Sequence, residues 1–117
     1  MKKQKICVIG DGLSGLTAAL VLSDLDIDVD FIIKNKQERK INDPRITAIS
    51  PTNFKFLNKY LDKKDTKLFW PCKRINLFYE KINQLYNFIN FSEDQKDLLN
   101  IIKNNDLKKV LLKKIKR

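Results

Sequence analysis

Short apolar runs and helical apolar stripes alternate along this chain, and the first three form one predicted unit. The runs Lys5–Ile9 and Val29–Ile33 predict two strands, the second with few charges, as in buried parallel strands. Between them, Leu13–Leu25 places apolar residues on one helical face and predicts a helix. A strand, a helix and a strand at this spacing predict a βαβ unit with a right-handed crossover.

The middle of the chain predicts a second helix, running from Pro51 to about Tyr60. Ser50 suits its N-cap, and proline suits the first helical position because it has no N–H to leave unpaired. The charged stretch Asp62–Lys67 is predicted to be a linker.

The second half predicts a hairpin and a last helix. Ile75–Glu80 and Leu85–Phe91 are predicted strands joined around Lys81–Gln84, and we expect their aromatic side chains to line a core. Asn104 or Asn105 would cap a final helix whose lysines lie opposite an apolar stripe. Such a helix can dock on a core or lie on a membrane surface, and we expect the core. The stripe consists of Leu107, Val110, Leu111 and Ile115.

The three glycines of the chain all fall in one G-x-G-x-x-G window that follows the first strand and opens the first helix. Gly10 would permit the tight turn, Gly12 would let a pyrophosphate approach the backbone, and Gly15 would let the helix pack closely. The helix N-terminus would offer N–H groups and a positive dipole end to phosphates. The alternative is a glycine turn that joins strand to helix and binds nothing.

The net charge of +10, from 24 basic and 14 acidic residues, is compatible with a nucleic acid, an anionic membrane surface or an anionic cofactor. The lysines are spread along the chain without an aromatic-basic RNA motif, which disfavours nucleic acid. No apolar run approaches the roughly 20 residues of a membrane span. The basic N-terminus lacks a signal-peptide apolar region, so we expect a cytoplasmic protein.

Histidine is absent, and the two cysteines, Cys7 and Cys72, form no C-x-x-C pair. These facts exclude Ser-His and Cys-His nucleophilic chemistry and most zinc sites. We expect no metal, and we expect Cys7 to be a small core residue of the first strand.

Four segments resemble one family, in the family's order. Lys5–Leu20 resembles the opening of flavoprotein aromatic-ring hydroxylases, and Asp43–Pro51 is similar to the D-x-R-x-x-A-[IL]-S segment of ubiquinone-biosynthesis hydroxylases. Trp70-Pro71 and Ile75–Tyr79 resemble that family's tryptophan and first substrate-domain strand. Leu99–Leu112 resembles its G-Y-[IV]-V-E-N-x-x-L-x-x-x-L-L segment.

The resemblance implies an α/β fold of the class A flavin monooxygenases, with a Rossmann-like FAD-binding βαβ unit and the start of an interleaved antiparallel substrate-domain sheet. Residues 1–70 would belong to the FAD-binding domain, 71–92 to the substrate-domain sheet and 93–117 to a helix that returns to the FAD-binding domain. FAD would be the cofactor, NAD(P)H the reductant and a polyprenylated phenol the substrate. Peripheral association with the inner membrane or with a ubiquinone-biosynthesis complex would follow.

The resemblance also assigns roles to single residues. Arg45 matches the family arginine near the phosphate and ribityl part of the flavin, and its alternative is an exposed, salt-bridging loop residue. Lys34 would meet a phosphate. The residues that would hold the pyrophosphate are Gly10, Gly12, Leu13, Ser14 and Gly15.

The sequence departs from the family at three points. The acidic residue usual at the end of the second strand is replaced by Ile33 and Lys34, and Asp30 is a weak substitute because it falls inside the predicted strand. Lys103 stands where the family has glutamate or glutamine. The chain is also much shorter than family members, so we expect a fragment or truncated homologue that does not hydroxylate by itself. A degenerate remnant that binds a nucleotide or partner is a second hypothesis, and a basic nucleic-acid or membrane module is a third.

Overall fold

A computed structural model describes residues 3–33, 43–92 and 96–115, which form a mixed α/β fold. The chain divides into two compact units, the first made of residues 1–46 and 103–117 and the second of residues 47–102. No helix in the described ranges is long and apolar enough to cross a membrane. The elements in chain order are β1 (Lys5–Ile9), α1 (Leu13–Ser23), β2 (Asp28–Ile32), β3 (Ile46–Ile49), α2 (Pro51–Leu57), α3 (Lys63–Thr66), β4 (Trp70–Cys72), β5 (Arg74–Lys81), β6 (Gln84–Ser92), β7 (Leu99–Lys103) and α4 (Asn104–Ile115).

The first unit is built on the predicted strand, helix and strand. β1 and β2 pair in parallel, from Lys5 opposite Asp28 to Ile9 opposite Ile32. α1 connects the two strands and packs against α4. Both helices bury one apolar stripe, which is why the final helix reads as amphipathic in the sequence. The buried residues are Leu16, Ala19 and Leu20 of α1 and Leu107, Val110 and Leu111 of α4.

The prediction that Cys7 is a core residue is wrong, because its side chain is exposed. Side chains alternate between the two faces of a strand, and both strands alternate between exposed and half-buried positions. Cys7 lies on the exposed face of this two-stranded sheet, together with Ile9 and Ile32, which are 76% and 54% exposed. The strands are therefore half-buried rather than covered on both faces.

The second unit contains a three-stranded sheet of order β3–β7–β4, in which β4 runs antiparallel to β7. α2 begins as predicted, since the Ser50 hydroxyl accepts a hydrogen bond from the Asn53 N–H at 3.3 Å. Phe54 of this helix lies against Phe69, with ring centroids 4.8 Å apart. The sequence did not predict the three short strands of this sheet. The buried apolar residues of the unit are Ile49, Leu57, Phe69 and Ile102.

The stretch predicted as a charged linker instead contains the short helix α3. Its buried Asp65 accepts a hydrogen bond from the backbone N–H of Asp62 at 3.1 Å, as in a capping box. This contact satisfies a carboxylate that burial would otherwise destabilise. A capping interaction of two aspartates therefore makes a helical turn in a segment whose composition suggests only solvent exposure.

The predicted hairpin is present, with β5 antiparallel to β6. The expectation that its aromatic side chains line a core is wrong, since both strands are exposed along almost their whole length. The rings pack across the strands instead, and those of Tyr79 and Tyr86 stack at 5.2 Å between centroids. The two turn residues, Ile82 and Asn83, have φ of 51° and 59°, which is the left-handed conformation of a type I′ turn.

Replacing Ile82 with asparagine should stabilise the hairpin by about 1 kcal/mol, because a β-branched residue is strained at positive φ whereas asparagine tolerates it. The side chain is 86% exposed, so little packing is lost. The free energy of unfolding, measured by urea denaturation, should rise. Leu85→Asn is the control, since Leu85 is 70% exposed but lies in a strand, and it should give no such rise. Equal effects of the two changes would refute the strain argument.

Candidate functional site

The glycine turn begins where β1 ends. Gly10 has φ of 104°, a conformation that residues with a side chain rarely adopt, and its N–H donates to the carbonyl of Ile32 at 2.9 Å. This bond joins the turn to the end of the neighbouring strand. Glycine is required at this position by the backbone alone.

Gly15 is required for a different reason. A Cβ atom added there would overlap the carbonyl oxygen and carbon of Gly10, which are backbone atoms and cannot swing aside. The first turn of α1 therefore rests directly on the glycine turn. Any side chain at this position would push the helix away from the end of β1.

Gly12 differs from the other two glycines. It is the N-cap of α1 with φ of −67° and ψ of 168°, a conformation open to any residue. A Cβ atom at this position would meet no atom of the described residues within 4 Å, the two adjacent residues aside. As a glycine, this N-cap has no side chain that could accept a hydrogen bond from the first N–H groups of the helix. Neither the backbone conformation nor packing among the described residues explains a glycine here.

The second part of the site is an ion pair on the segment before β3. The Arg45 guanidinium donates to the Asp43 carboxylate twice, from Nε at 2.8 Å and from Nη2 at 2.9 Å, and the Arg45 N–H adds a third bond at 3.1 Å. These hydrogen bonds hold the pKa of the Asp43 carboxyl well below its usual range, and the same pairing raises the pKa of Arg45. The arginine side chain remains 77% exposed, and the two side-chain bonds use two of its five donors.

The start of α4 holds this ion pair in place. The Asn104 side chain donates to the Asp43 carboxylate at 3.3 Å, and the Asn104 N–H donates to the Arg45 carbonyl at 3.0 Å. The Asn105 side chain donates to the Asp43 carbonyl at 3.2 Å. Asn104 and Asn105, the two alternatives for the predicted helix cap, therefore both bind the Asp43–Arg45 segment.

One turn further along α4, Lys108 reaches the glycine turn. Its Nζ lies 3.0 Å from Oδ2 of Asp11, the residue between the first two glycines. Asn104 and Lys108 are four residues apart and so lie on one face of the helix. That face contacts both the glycine turn and the Asp43–Arg45 segment. The structure thereby brings together, along about one helical turn, the two parts of the site that the sequence predicted separately.

Lys34 and Asp30 are two further positions named from the sequence. Lys34 lies outside the described residues. Asp30 lies inside β2 and not at the carboxyl end of the strand, where the family has its acidic residue. Its carboxylate forms an ion pair with Lys5 at 3.4 Å. Sequence reasoning missed Asp11 and Lys108, whose pairing no local pattern marks. In the described ranges, no group of three or more potential metal-binding side chains occurs.

Comparison with known proteins identifies the fold. No protein-family model and no curated protein matches the chain. Among solved structures, 2,6-dihydroxypyridine-3-hydroxylase from Arthrobacter nicotinovorans is similar with a TM-score of 0.63 and 19% identity, over 94% of this chain and 26% of that one. HpxO from Klebsiella pneumoniae, in complex with FAD and uric acid, is similar with a TM-score of 0.66 and 22% identity, over 94% of this chain and 28% of that one. The chain thus shares their fold and spans about a quarter of their length.

The Asp43 carboxyl should stay ionised at pH values where ordinary aspartates are protonated, and Arg45→Met should raise its pKa towards about 3.9. Because folding lowers this pKa, the stability contributed by the pair is present above the unfolded-state pKa and is lost as pH falls through the folded-state pKa. Carboxyl ¹³C shifts followed by NMR on acidification measure the titration directly. Arg74→Met, which removes an exposed arginine of the second unit, should leave it unchanged. An ordinary Asp43 pKa in the unaltered chain would contradict the ion pair.

Proposed function

We propose that this chain is the FAD-binding part of a flavin-dependent aromatic-ring monooxygenase. The observation that carries the proposal is Gly12, a glycine that neither its backbone conformation nor packing among the described residues requires. The position must lack a side chain if a ligand approaches the backbone closely, as a pyrophosphate does at a helix N-terminus. The similarity in fold to HpxO, whose structure contains FAD, supports the choice of ligand.

The pyrophosphate would lie against the first turn of α1. The N–H groups of Leu13, Ser14 and Gly15 belong to this turn, and the helix dipole favours an anion there. The backbone of Gly10 and Gly12 would form the floor of the site. These groups are fixed by the fold before the ligand arrives, so binding needs little reorganisation.

Arg45 would supply a positive charge beside the phosphate and ribityl part of the cofactor. Asp43 fixes its planar guanidinium in one orientation, and α4 fixes Asp43. A held, exposed arginine with donors to spare suits an anionic ligand better than a mobile one. The connection of Arg45 and the glycine turn through one face of α4 supports a single site for both.

FAD would supply the redox chemistry of ring hydroxylation when bound, with NAD(P)H as the source of electrons in the longer protein that we propose. The chain's own residues would bind and orient the cofactor. We further propose a polyprenylated phenol of ubiquinone biosynthesis as the substrate, which rests on the sequence resemblance. The division into a FAD-binding segment 1–70, a substrate-sheet segment 71–92 and a returning helix 93–117 is part of the same proposal.

The adenosine end of the cofactor would be held less firmly than the diphosphate. Ile33 follows β2 where the resembling family has an acidic residue for the ribose, so a charge-assisted hydrogen bond is missing. Lys34 would instead meet a phosphate. Diphosphate contacts would then dominate binding, and ADP should bind much better than AMP.

Gly12→Ala and Gly12→Glu should abolish micromolar FAD binding while the chain stays folded, because the added atoms fill the open space where the pyrophosphate lies. Quenching of flavin fluorescence measures the affinity, and circular dichroism measures the fold. Gly15→Ala is the matched control, since its methyl group overlaps backbone and should destabilise the fold by about 2 kcal/mol. Loss of binding in that variant should therefore accompany loss of structure.

The outcome also separates the other two hypotheses. FAD binding that persists in Gly12→Glu would show that the glycine turn is purely structural and would contradict the proposal. A folded chain that binds neither FAD nor ADP would favour a degenerate remnant. Tight binding to DNA, RNA or anionic vesicles with a steep dependence on salt would favour a basic binding module instead.

A further inference from the structure

The glycine turn carries a negative charge of its own. Asp11 stands between Gly10 and Gly12, next to the helix N-terminus that would receive a diphosphate. Its side chain is only 19% exposed, so solvent screens the carboxylate less than it would at the surface. A carboxylate at this position repels an incoming anion, and nothing in the glycine fingerprint requires an acid there.

The structure contains the compensating charge. Lys108 Nζ lies 3.0 Å from Asp11 Oδ2, and the lysine side chain is 35% exposed. Both partners are thus more buried than those of an ordinary surface ion pair. The two residues are far apart in sequence, so the contact depends on the packing of α4 against α1.

We propose that Lys108 is a positioning residue of the diphosphate site, which cancels the charge of Asp11 and fixes the glycine turn in its anion-binding form. The inference rests on the proposed function and adds a residue to it. Lys108 acts through Asp11, and its effect on ligand affinity therefore depends on whether the carboxylate is present.

A double-mutant cycle tests this dependence. Asp11→Asn, Lys108→Met and the double variant are compared with the unaltered chain by calorimetric titration with FAD and with ADP at fixed salt. Lys108→Met should weaken binding of both ligands on the order of tenfold, because the negative charge of Asp11 then lies near the phosphates without the Lys108 ammonium beside it. Asp11→Asn should bind at least as tightly as the unaltered chain. The double variant should lie within about threefold of Asp11→Asn, since Lys108 then has no charge to cancel.

Two further variants control for charge and fold. Lys109→Met removes the same charge from the next, exposed position of α4 and should change the affinity by less than about twofold. Lys108→Arg keeps the ion pair and should retain the affinity to within about threefold. Thermal unfolding without ligand measures whether each variant is folded. If Lys108→Met does not fold, the affinity of Asp11→Asn still tests the inference.

The results distinguish failure of this inference from failure of the proposed function. Equal losses in Lys108→Met and Lys109→Met would reduce Lys108 to a contribution to the overall positive charge and overturn the inference. An equal loss of affinity from Lys108→Met in the unaltered chain and in the Asp11→Asn variant would also overturn it. Weaker binding by Asp11→Asn alone would overturn it as well. In each of these cases the unaltered chain still binds FAD. Absence of FAD and ADP binding by the folded, unaltered chain would instead overturn the proposed function.

Discussion

The close approach of α1 to the end of β1 is the constraint on which the candidate site depends. Gly15 packs on the Gly10 carbonyl with no room for a Cβ atom, and this contact fixes the helix N-terminus at the edge of the sheet. The position of α1 then determines where α4 packs, because the two helices bury their apolar stripes against each other. Lys108 and Asn104 reach their partners only because α4 lies there.

The three glycines serve three separate physical purposes, and this separation carries functional information. Gly10 is explained by a positive φ and Gly15 by a backbone contact, so both would be needed in a turn that binds nothing. Gly12 has neither explanation. A glycine motif by itself is a weak indication of nucleotide binding, whereas a glycine with no structural cause within its own protein points to a ligand.

The sequence predicts the elements that local patterns determine, and it fails where contacts between distant residues determine the exposure or the partner of a side chain. An apolar run beside a glycine turn is a local signal, and β1 and the start of α1 are therefore where the sequence predicts them. The helix α1 ends two residues before its predicted end. The exposure of Cys7 was missed because it depends on which face of the sheet a helix covers. The bond between Asn104 and Asp43 spans 61 positions, and the sequence suggested only that Asn104 is a helix cap. Lys108 looked like one of many solvated lysines, and only the fold shows its carboxylate partner.

The residues proposed to contact the cofactor phosphates and the exposed aromatic hairpin belong to different compact units of this chain. The proposed phosphate contacts come from the glycine turn, from Arg45 and from α4, all in the first unit. The exposed aromatic hairpin lies in the second unit, where rings such as Phe88, 65% exposed, present apolar surface rather than a closed pocket. An exposed apolar patch of this kind is typical of an interaction surface. Substitutions in the first unit can therefore test the proposed diphosphate site without changing a hairpin residue, and a binding measurement tests it independently of any hydroxylation.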